Sequence, residues 1–418
     1  MIELLKEVRV IDAVMQTDQV ADVLIFDGQI KAIARQIPNP SPETVVRDCQ
    51  GLLLGNGLVD LYSHSGEPGF EERETLSSLL RSAKVGGFTR INVLPDTYPV
   101  IDQPSLVLQL QQKYKGKNAP KLQIWAGITL DLAGKQLIEF ADLANCGVVG
   151  FTDDKPWENL GMVRRILEYL QPYSQIVAFS PCDRSLCFNG KVREGVEGLR
   201  TGLPGIPASA ETSAIAGLLE LVAEVGTPVH IMRVSTSRSV ELIARAKSDG
   251  LPITASSTWM HLLLSSEDIH SYHTSLHLEP PLGNVSDMKA LREGVRQGII
   301  DGIAIDHAAF TYEEKVQAFA ESLPGAIGLE LALPLLWQNL VETREFTALE
   351  LWKSLSYGPA SCLKQKISPI QPGEMAELTL FNPDKTWEVT TDNLCSLSNN
   401  TPWSGEEIKG RVIQIWCD

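Results

Sequence analysis

The stretch VDLYSHSGEPG at residues 59–69 decides the fold, because it ends an apolar run that reaches back to residues 52–54. Such a run is typical of a buried strand whose carboxyl end delivers polar groups to one rim of an α/β protein. Residues two apart in a strand point the same way, so Tyr62 and His64 are expected to project to one side. Two imidazoles at these positions would make half of a metal site. In this chain the first of them is a phenol.

The composition indicates an α/β protein without a nucleic-acid or anionic-membrane surface. The chain has 418 residues, which suits a barrel of about 250 residues with an appended module. Hydrophobic residues make up 44% of the chain and aromatic residues only 6%, so the core is expected to be aliphatic. The formal net charge is −16, from 36 basic and 52 acidic residues, and such a surface repels nucleic acids and acidic lipids.

Cysteine usage and the first residues predict a cytoplasmic protein. The seven cysteines lie far apart and include no CxxC pair, so neither a disulfide framework nor a Cys-rich zinc site is expected. They are interpreted as buried apolar residues. The opening MIELLKEVRV lacks the pattern of a signal peptide, and no run of about 18 apolar residues indicates a membrane span.

Strand-like alternation is concentrated at the two ends of the chain. Residues 20–34 contain two alternating runs around an Asp-Gly pair, which favours a hairpin, and residues 376–381 and 410–416 alternate in the same way. Each end alone has too little apolar surface for a core. One β-module built from residues 1–53 and 366–418 is therefore predicted.

Between these ends, residues 54–365 alternate between apolar strand candidates and helical stretches. Counting the strand before Asp60 gives eight such units, which predicts a TIM-type (β/α)8 barrel. The chemistry of such a barrel lies at the carboxyl ends of its strands.

Three strand-end side chains have the chemistry of zinc ligands: His64, Asp153 and Asp306. Arg233 follows another strand, and its guanidinium cannot ligate a metal but can pair with Asp153 or Asp306. The sequence also allows other interpretations. His64 can be a hydrogen-bonded structural residue, and Asp153 can cap the segment that follows it.

These motifs resemble those of the dihydroorotases of the amidohydrolase superfamily along nearly the full length of the chain. The segments that carry the resemblance are Asp60–Phe70, Gly86–Thr89, Leu94–Pro99, Gly150–Asp154, His230–Thr236, Glu279–Leu282 and Ala304–Ala308. The resemblance implies a metal-dependent (β/α)8 barrel with a β-module from both termini. It also implies reversible ring closure of carbamoyl aspartate to dihydroorotate.

Half of the family's metal positions are replaced in this sequence. The resemblance places His64, Asp153 and Asp306 at three of them, with Asp306 also at the position of the catalytic base. The replaced positions are Tyr62, Pro181 and Arg233. The family's substrate contacts are replaced as well, by Gly66, Asp96, Glu279 and Phe310.

These replacements predict a non-catalytic homologue without a bound cofactor. Losing one zinc ligand commonly abolishes activation of the bound water, and Asp96 and Glu279 would repel a dicarboxylate. The resemblance implies aspartate transcarbamoylase as a partner, and self-association is also expected. Two alternatives remain: a cyclic-amide hydrolase with one zinc ion on His64, Asp153 and Asp306, and a sensor that binds an anion at Arg233.

Overall fold

The structure, a computed structural model, describes residues 2–39, 41–114, 116, 119–157 and 159–417. The strands are β1 (Ile2–Asp12), β2 (Thr17–Phe26), β3 (Gln29–Ala34), β4 (Val45–Asp48), β5 (Leu53–Asn56), β6 (Leu58–Val59), β7 (Phe88–Val93), β8 (Lys121–Ala126), β9 (Gly150–Phe151), β10 (Ile176–Phe179), β11 (Val192–Arg193), β12 (Gly205–Ile206), β13 (Val229–Ile231), β14 (Ile253–Thr258), β15 (Gly302–Ala304), β16 (Leu378–Glu388) and β17 (Glu407–Trp416).

The α-helices are α1 (Leu76–Gly86), α2 (Pro104–Lys113), α3 (Phe140–Asn145), α4 (Leu160–Leu170), α5 (Arg184–Cys187), α6 (Val196–Thr201), α7 (Ala208–Val225), α8 (Ser237–Ser248), α9 (Trp259–Leu263), α10 (Val285–Arg296), α11 (Tyr312–Lys315), α12 (Ala332–Leu336), α13 (Ala348–Leu355) and α14 (Tyr357–Cys362). Short 3₁₀ turns lie at Leu130–Leu132, Ser266–Ser271 and Thr274–Leu276, and a π-helical turn lies at Trp337–Val341. Within the described ranges, each helix is too short or too polar to cross a membrane.

Both ends of the chain build one seven-stranded sheet, in the order β17-β16-β5-β1-β2-β3, with β4 also paired to β1. Its own apolar core includes Leu5, Val23, Leu54 and Leu380. Strand β16 runs antiparallel to β5, so the last part of the chain pairs with the segment that leads into the barrel. The predicted β-module from both termini is confirmed, and the boundaries given for it stay predictions.

The middle of the chain forms a parallel eight-stranded sheet in the order β15-β14-β13-β10-β9-β8-β7-β6. Hydrogen bonds join its two ends: the N–H of Asp306 donates to the carbonyl of Tyr62 at 3.1 Å, and the N–H of His64 donates to the carbonyl of His307 at 2.8 Å. The sheet therefore closes on itself, which confirms the predicted (β/α)8 barrel.

Side-chain caps start the helices that follow several of the barrel strands. Thr75 accepts the N–H of Ser78 before α1, and Thr236 accepts the N–H of Ser239 before α8. Such caps satisfy backbone donors that a helix start otherwise leaves unpaired. They therefore fix where each strand-to-helix loop ends, and with it the backbone that carries the strand-end side chains.

Two cysteines differ from the sequence-based expectation. Cys182 and Cys187 form a disulfide, whereas Cys49 and Cys362 are buried apolar residues as expected. Cys182 lies two residues before α5 and Cys187 is its last residue, so this short helix brings them together without a CxxC spacing.

A buried carboxyl group helps to close the barrel. Asp60 directly follows β6, and its Oδ1 accepts the N–H of Ile305 at 3.1 Å while its Oδ2 accepts the Ser63 hydroxyl at 2.5 Å. Asp60 is fully buried, and this desolvation raises the pKa of its carboxyl to about 7.

Asp60→Asn is expected to remove a pH dependence of stability. Folded Asp60 keeps its proton up to about pH 7. The unfolded chain releases that proton near pH 4, so the free energy of unfolding falls by about 1.4 kcal/mol per pH unit between these values. Asparagine has no proton to release and keeps one acceptor oxygen. Denaturant unfolding at pH 4, 5, 6 and 7 measures the slope. Asp392→Asn, at an exposed position, should keep the wild-type slope, and an equal slope in both variants would contradict the assignment.

Candidate functional site at the mouth of the barrel

Five charged side chains meet at the carboxyl ends of the barrel strands. His64 follows β6, Asp96 follows β7, Asp154 follows β9, Arg233 follows β13 and Asp306 follows β15. All of them except Asp96 line a cavity of about 310 Å³. The barrel thus brings residues that are up to 242 positions apart in sequence into one cluster, called here the mouth cluster.

Arg233 is the centre of the mouth cluster. Its Nε donates to Asp306 Oδ2 at 2.7 Å and its Nη2 to Asp306 Oδ1 at 2.6 Å, which is a bidentate pair. Its Nη1 donates to Asp154 Oδ1, and Nη2 lies 3.2 Å from Asp154 Oδ2. One guanidinium therefore bonds the carboxylates that follow two other strands. Of the two partners that the sequence predicts for Arg233, Asp153 or Asp306, the structure pairs it with Asp306.

The backbone at all three of these residues is in the left-handed region. The φ angles are 52° at Asp154, 51° at Arg233 and 53° at Asp306. Non-glycine residues rarely adopt this conformation, and each instance costs on the order of 1–3 kcal/mol unless the surroundings enforce it. The ion pairs and the strand-end hydrogen bonds hold the three residues in this backbone conformation.

His64 is the second cation of the mouth cluster. Its Nδ1 lies 2.7 Å from Asp96 Oδ2, and its Nε2 lies 3.6 Å from Asp306 Oδ1 and 3.9 Å from Asp154 Oδ2. Burial alone would lower the pKa of His64, but the carboxylates of Asp96, Asp306 and Asp154 raise it well above 6.5. With His64 protonated, three carboxylates face two cations, so the cluster carries a net charge of −1.

Tyr62 lies beneath the cluster and is fully buried. Its hydroxyl accepts the N–H of Arg233 at 3.1 Å and lies 3.0 Å from Ser256 Oγ, and its ring is 5.2 Å from the Arg233 guanidinium carbon. Burial, together with the negative charge of Asp306, raises the pKa of Tyr62 above its ordinary value. The phenol is therefore neutral and supports Arg233 from below.

The structure differs from the predicted ligand set at Asp153. The Asp153 carboxylate turns away from the mouth: Oδ1 accepts the N–H groups of Ile128 at 2.7 Å and Thr129 at 2.9 Å, and Oδ2 accepts the Thr129 hydroxyl at 2.6 Å. Its neighbour Asp154 joins the cluster instead. Pro181, at another replaced position, is buried just beyond β10.

By spacing alone, His64, Asp96 and Asp154 could hold a cation, since one ligand atom from each lies within 4.8 Å of the others. Each of these side chains also has a partner inside the protein, although Asp96 Oδ1 has no hydrogen-bond partner among the described residues. His64 pairs with Asp96, and Asp154 pairs with Arg233. A metal ion would have to displace the guanidinium before it could reach both Asp154 and Asp306.

The positions that resemble substrate contacts are filled by unrelated interactions. Gly66 has no room for a side chain, because a Cβ built on it would overlap the carbonyl oxygens of Phe70 and Glu74. Glu279 is exposed and lines the cavity. Phe310 packs against the cations of two other residues, with ring-centroid distances of 5.3 Å to Arg73 and 5.1 Å to Lys315.

Gly66→Ala is expected to lower the free energy of unfolding by about 1–3 kcal/mol, the usual effect of forcing a methyl group into a filled space. The new Cβ would meet backbone atoms of Phe70 and Glu74, which cannot rotate away. Gly161→Ala is the matched control, because its Cβ would come only to ordinary contact with Asn159 at 3.4 Å. Urea unfolding measures the free energy of unfolding of both variants. Equal values would contradict the prediction and would mean that the loop after Gly66 shifts to accommodate the methyl group.

Two family models match the chain: one described as Dihydro-orotase-like over residues 51–239, and one described as Amidohydrolase family over residues 191–418. A probable dihydroorotase-like protein from Synechocystis sp. is 41% identical and covers 97% of this chain and 98% of its own length. A dihydroorotase from Syntrophus aciditrophicus is 36% identical, with coverages of 98% and 96%. The L-hydantoinase structure from Arthrobacter aurescens superposes with a TM-score of 0.84 over 100% of this chain and 96% of its own. Its sequence identity is 21%, so this likeness establishes the fold alone.

Proposed function

Because this chain belongs to the dihydroorotase family of the amidohydrolase superfamily, we propose that it is a non-catalytic homologue serving pyrimidine biosynthesis. Its role in this proposal is structural: it holds aspartate transcarbamoylase in a complex. Family membership supports the pathway, the resemblance to non-catalytic dihydroorotase-like proteins suggests the partner, and the mouth cluster supports the absence of catalysis.

The observation that carries the proposal is the bonding of Arg233 to both Asp154 and Asp306. A hydrolytic zinc centre needs about three protein ligands and an open position for water. Here a guanidinium engages the carboxylates of Asp154 and Asp306, and His64 is the one imidazole among the five residues of the mouth cluster. The imidazole of His261 lines the same cavity, but its two nitrogens contact Thr258 Oγ1 and the Pro280 carbonyl. A guanidinium does not coordinate water as a zinc ion does, and this difference supports a non-catalytic role.

The hydrogen bonds of Arg233 argue in the same direction for the substrate. Carbamoyl aspartate carries two carboxylates, and binding it needs cations with free hydrogen-bond donors. The mouth cluster has a net charge of −1, Glu279 adds another carboxylate at the rim, and Lys155 and Arg184 add two cations to the cavity wall, so the donors of Arg233, and not the net charge, disfavour the substrate. Arg233 has five N–H groups, and its hydrogen bonds to Asp154 and Asp306 engage four of them. The same count disfavours an anion sensor at Arg233.

A reduced metal site is the second candidate, and one observation favours it. The ligand atoms of His64, Asp96 and Asp154 lie within 4.8 Å of one another, which a single cation could bridge. In that case the protein would act as a cyclic-amide hydrolase with one zinc ion.

Zinc content and dihydroorotate ring opening distinguish these candidates. Purified protein, incubated with excess zinc and then desalted, is assayed for metal and for turnover beside an active dihydroorotase as the positive control. We expect substoichiometric zinc and no turnover above the buffer rate. Stoichiometric zinc with turnover that chelation abolishes would establish the second candidate in its place.

The assembly role has its own test. The chain and the aspartate transcarbamoylase of the same organism are mixed and run on a sizing column with light scattering. We expect a complex heavier than either component alone, and the single chain of 45.9 kDa gives the unit from which its stoichiometry and any self-association are counted. Separate elution at micromolar concentrations of both proteins would contradict the proposed complex.

A further inference from the structure

A second cavity, of about 470 Å³, adjoins the mouth of the barrel. It lies between the β11–β12 pair and the loop at residues 278–281, and it shares Arg184 and Glu279 with the mouth cavity. We call it the side cavity. Its volume is within the range of small-molecule sites in proteins. None of the residues of the mouth cluster lines it.

A buried arginine with an unmatched donor lines the side cavity. Arg193 is 4% exposed, and its Nη2 donates to Ser235 Oγ at 2.6 Å and to the Pro281 carbonyl at 3.3 Å. Its Nε has no hydrogen-bond acceptor among the residues that the structure describes. Buried donors are nearly always paired, so this N–H is free to take a further acceptor.

The charged side chains that line the side cavity are three cations (Arg184, Lys191 and Arg193) and two carboxylates (Glu211 and Glu279), a net charge of +1 in a chain that carries −16. Lys191 also lines the side cavity, and residues two apart on an extended segment point the same way. The nearest carboxylate, Glu211, is engaged by backbone N–H groups of Ser235 at 3.0 Å and Thr236 at 3.2 Å. Its attraction to Arg193 acts over 3.8 Å, so it offsets that charge only in part.

The imidazole of His277, which also lines the side cavity, does not add to this charge or oppose it. Burial, with the nearby Lys191 and Lys315, lowers the pKa of His277 to about 4, so the ring is neutral at pH 7. The positive potential of the side cavity therefore comes from the permanent charges of Arg and Lys.

Apolar side chains form part of the wall. Ile206, Leu278 and Pro281 line it together with Phe188, whose side chain is 88% exposed. Phe188 has a φ of 45°, a conformation that is costly for a non-glycine residue. An aromatic ring held open to solvent at the rim of a cavity is suited to stack on a flat apolar body.

We propose that the side cavity binds a small organic anion. Its carboxylate or phosphate group is held by Arg193 and Lys191, and its flat apolar body lies against Phe188 and Leu278. This site does not depend on whether the barrel catalyses a reaction, because it uses none of the mouth cluster.

Isothermal titration with simple probes tests the proposal on the full chain. The probes are phenyl phosphate, benzoate, inorganic phosphate and, as the neutral control, benzyl alcohol. We expect at least one of the two aromatic anions to bind, benzyl alcohol not to bind, and inorganic phosphate to bind more weakly than phenyl phosphate. Whichever of phenyl phosphate and benzoate binds more tightly shows whether the site prefers a phosphate or a carboxylate group.

Matched variants locate the binding. Lys191→Met and Arg193→Lys should each weaken the aromatic anions by about ten-fold or more, the effect of losing a charged hydrogen bond. Arg193→Lys keeps the charge and removes the unmatched Nε, and its thermal midpoint confirms that it folds. Phe188→Ala should weaken the binding of the aromatic probes and leave the binding of inorganic phosphate unchanged.

Lys155→Met is the control, because Lys155 lines the mouth cavity and not the side cavity. No binding of any anion to the wild type, or binding lost in Lys155→Met and kept in Lys191→Met, would overturn the proposal.

Discussion

Arg233→Met is expected to lower the free energy of unfolding by about 3–5 kcal/mol at pH 7, the usual effect of removing one partner of a buried ion pair. The side chains of Arg233, Asp154 and Asp306 are only 6%, 7% and 17% exposed. Methionine fills a similar volume but leaves both carboxylates without their cation. Urea unfolding followed by circular dichroism measures the loss.

Two controls separate this effect from a general intolerance of the site. Arg238 pairs with Glu241 on the surface, where the two side chains are 63% and 64% exposed. Arg238→Met should therefore change stability by less than about 1 kcal/mol. The triple variant Arg233→Met, Asp154→Asn, Asp306→Asn should recover much of the loss, because no charge is left buried and unpaired. If Arg233→Met were as stable as Arg238→Met, the ion pairs would not hold the barrel mouth.

Acid should reduce the difference between Arg233→Met and the wild type. Burial alone would raise the pKa of Asp306, but Arg233 and His64 lower it below 3.8. In the wild type this stabilisation is present above the unfolded pKa of about 3.9 and is lost as the pH falls through the lower folded pKa. Without Arg233 the pKa of Asp306 rises, so its carboxyl takes up a proton on mild acidification and the penalty falls. The stability difference at pH 4.5 should be smaller than the difference at pH 8.

The fold can be predicted from the hydrophobic pattern of the sequence. Alternation at residues 20–34 and 376–381 predicted strands of one terminal module, and the apolar runs of residues 54–365 predicted eight barrel units. Both rest on periodicity, which is set by the pattern of burial and needs no knowledge of distant contacts. The gathering of strand-end residues at one rim then follows from parallel topology.

The details of the site depend on backbone conformation and on contacts between distant strand ends, which the sequence pattern does not show. Asp153 and Asp154 are chemically identical neighbours, and only the backbone decides which one reaches Arg233: Asp154 has a φ of 52°, which turns its carboxylate into the mouth. Asp96 contacts His64 because two strand ends are adjacent. In the side cavity, Arg193 belongs to a strand of only two residues, β11, and Lys191 directly precedes it, and so short an element gives no periodic signal.

Arg233→His is expected to raise zinc affinity by at least about a hundred-fold over the wild type and over Arg233→Gln. Histidine removes the cation that occupies Asp154 and Asp306 and adds an imidazole beside His64. Changing an outer-shell partner alone shifts metal affinity by about 10–100-fold, so gaining a direct ligand and freeing two carboxylates should exceed that range. Glutamine also removes the charge but offers no nitrogen of comparable basicity. Competition with a chromophoric chelator measures the affinity of each protein.

Stability gives an independent measurement of the same change, and it ties the two predictions together. Arg233→His loses the same ion pairs as Arg233→Met, so without metal it should be destabilised to a similar degree. Zinc at about a hundred times its dissociation constant should then restore about 2.7 kcal/mol, because only the folded chain assembles the ligands. Arg233→Gln should gain nothing from zinc, and adding Asp154→Asn to Arg233→His should abolish most of the gain. Equal zinc affinity in the histidine and glutamine variants would mean that the guanidinium does not stand where a metal ion would bind. In that case the mouth of this barrel would be closed to metal for a reason other than its arginine.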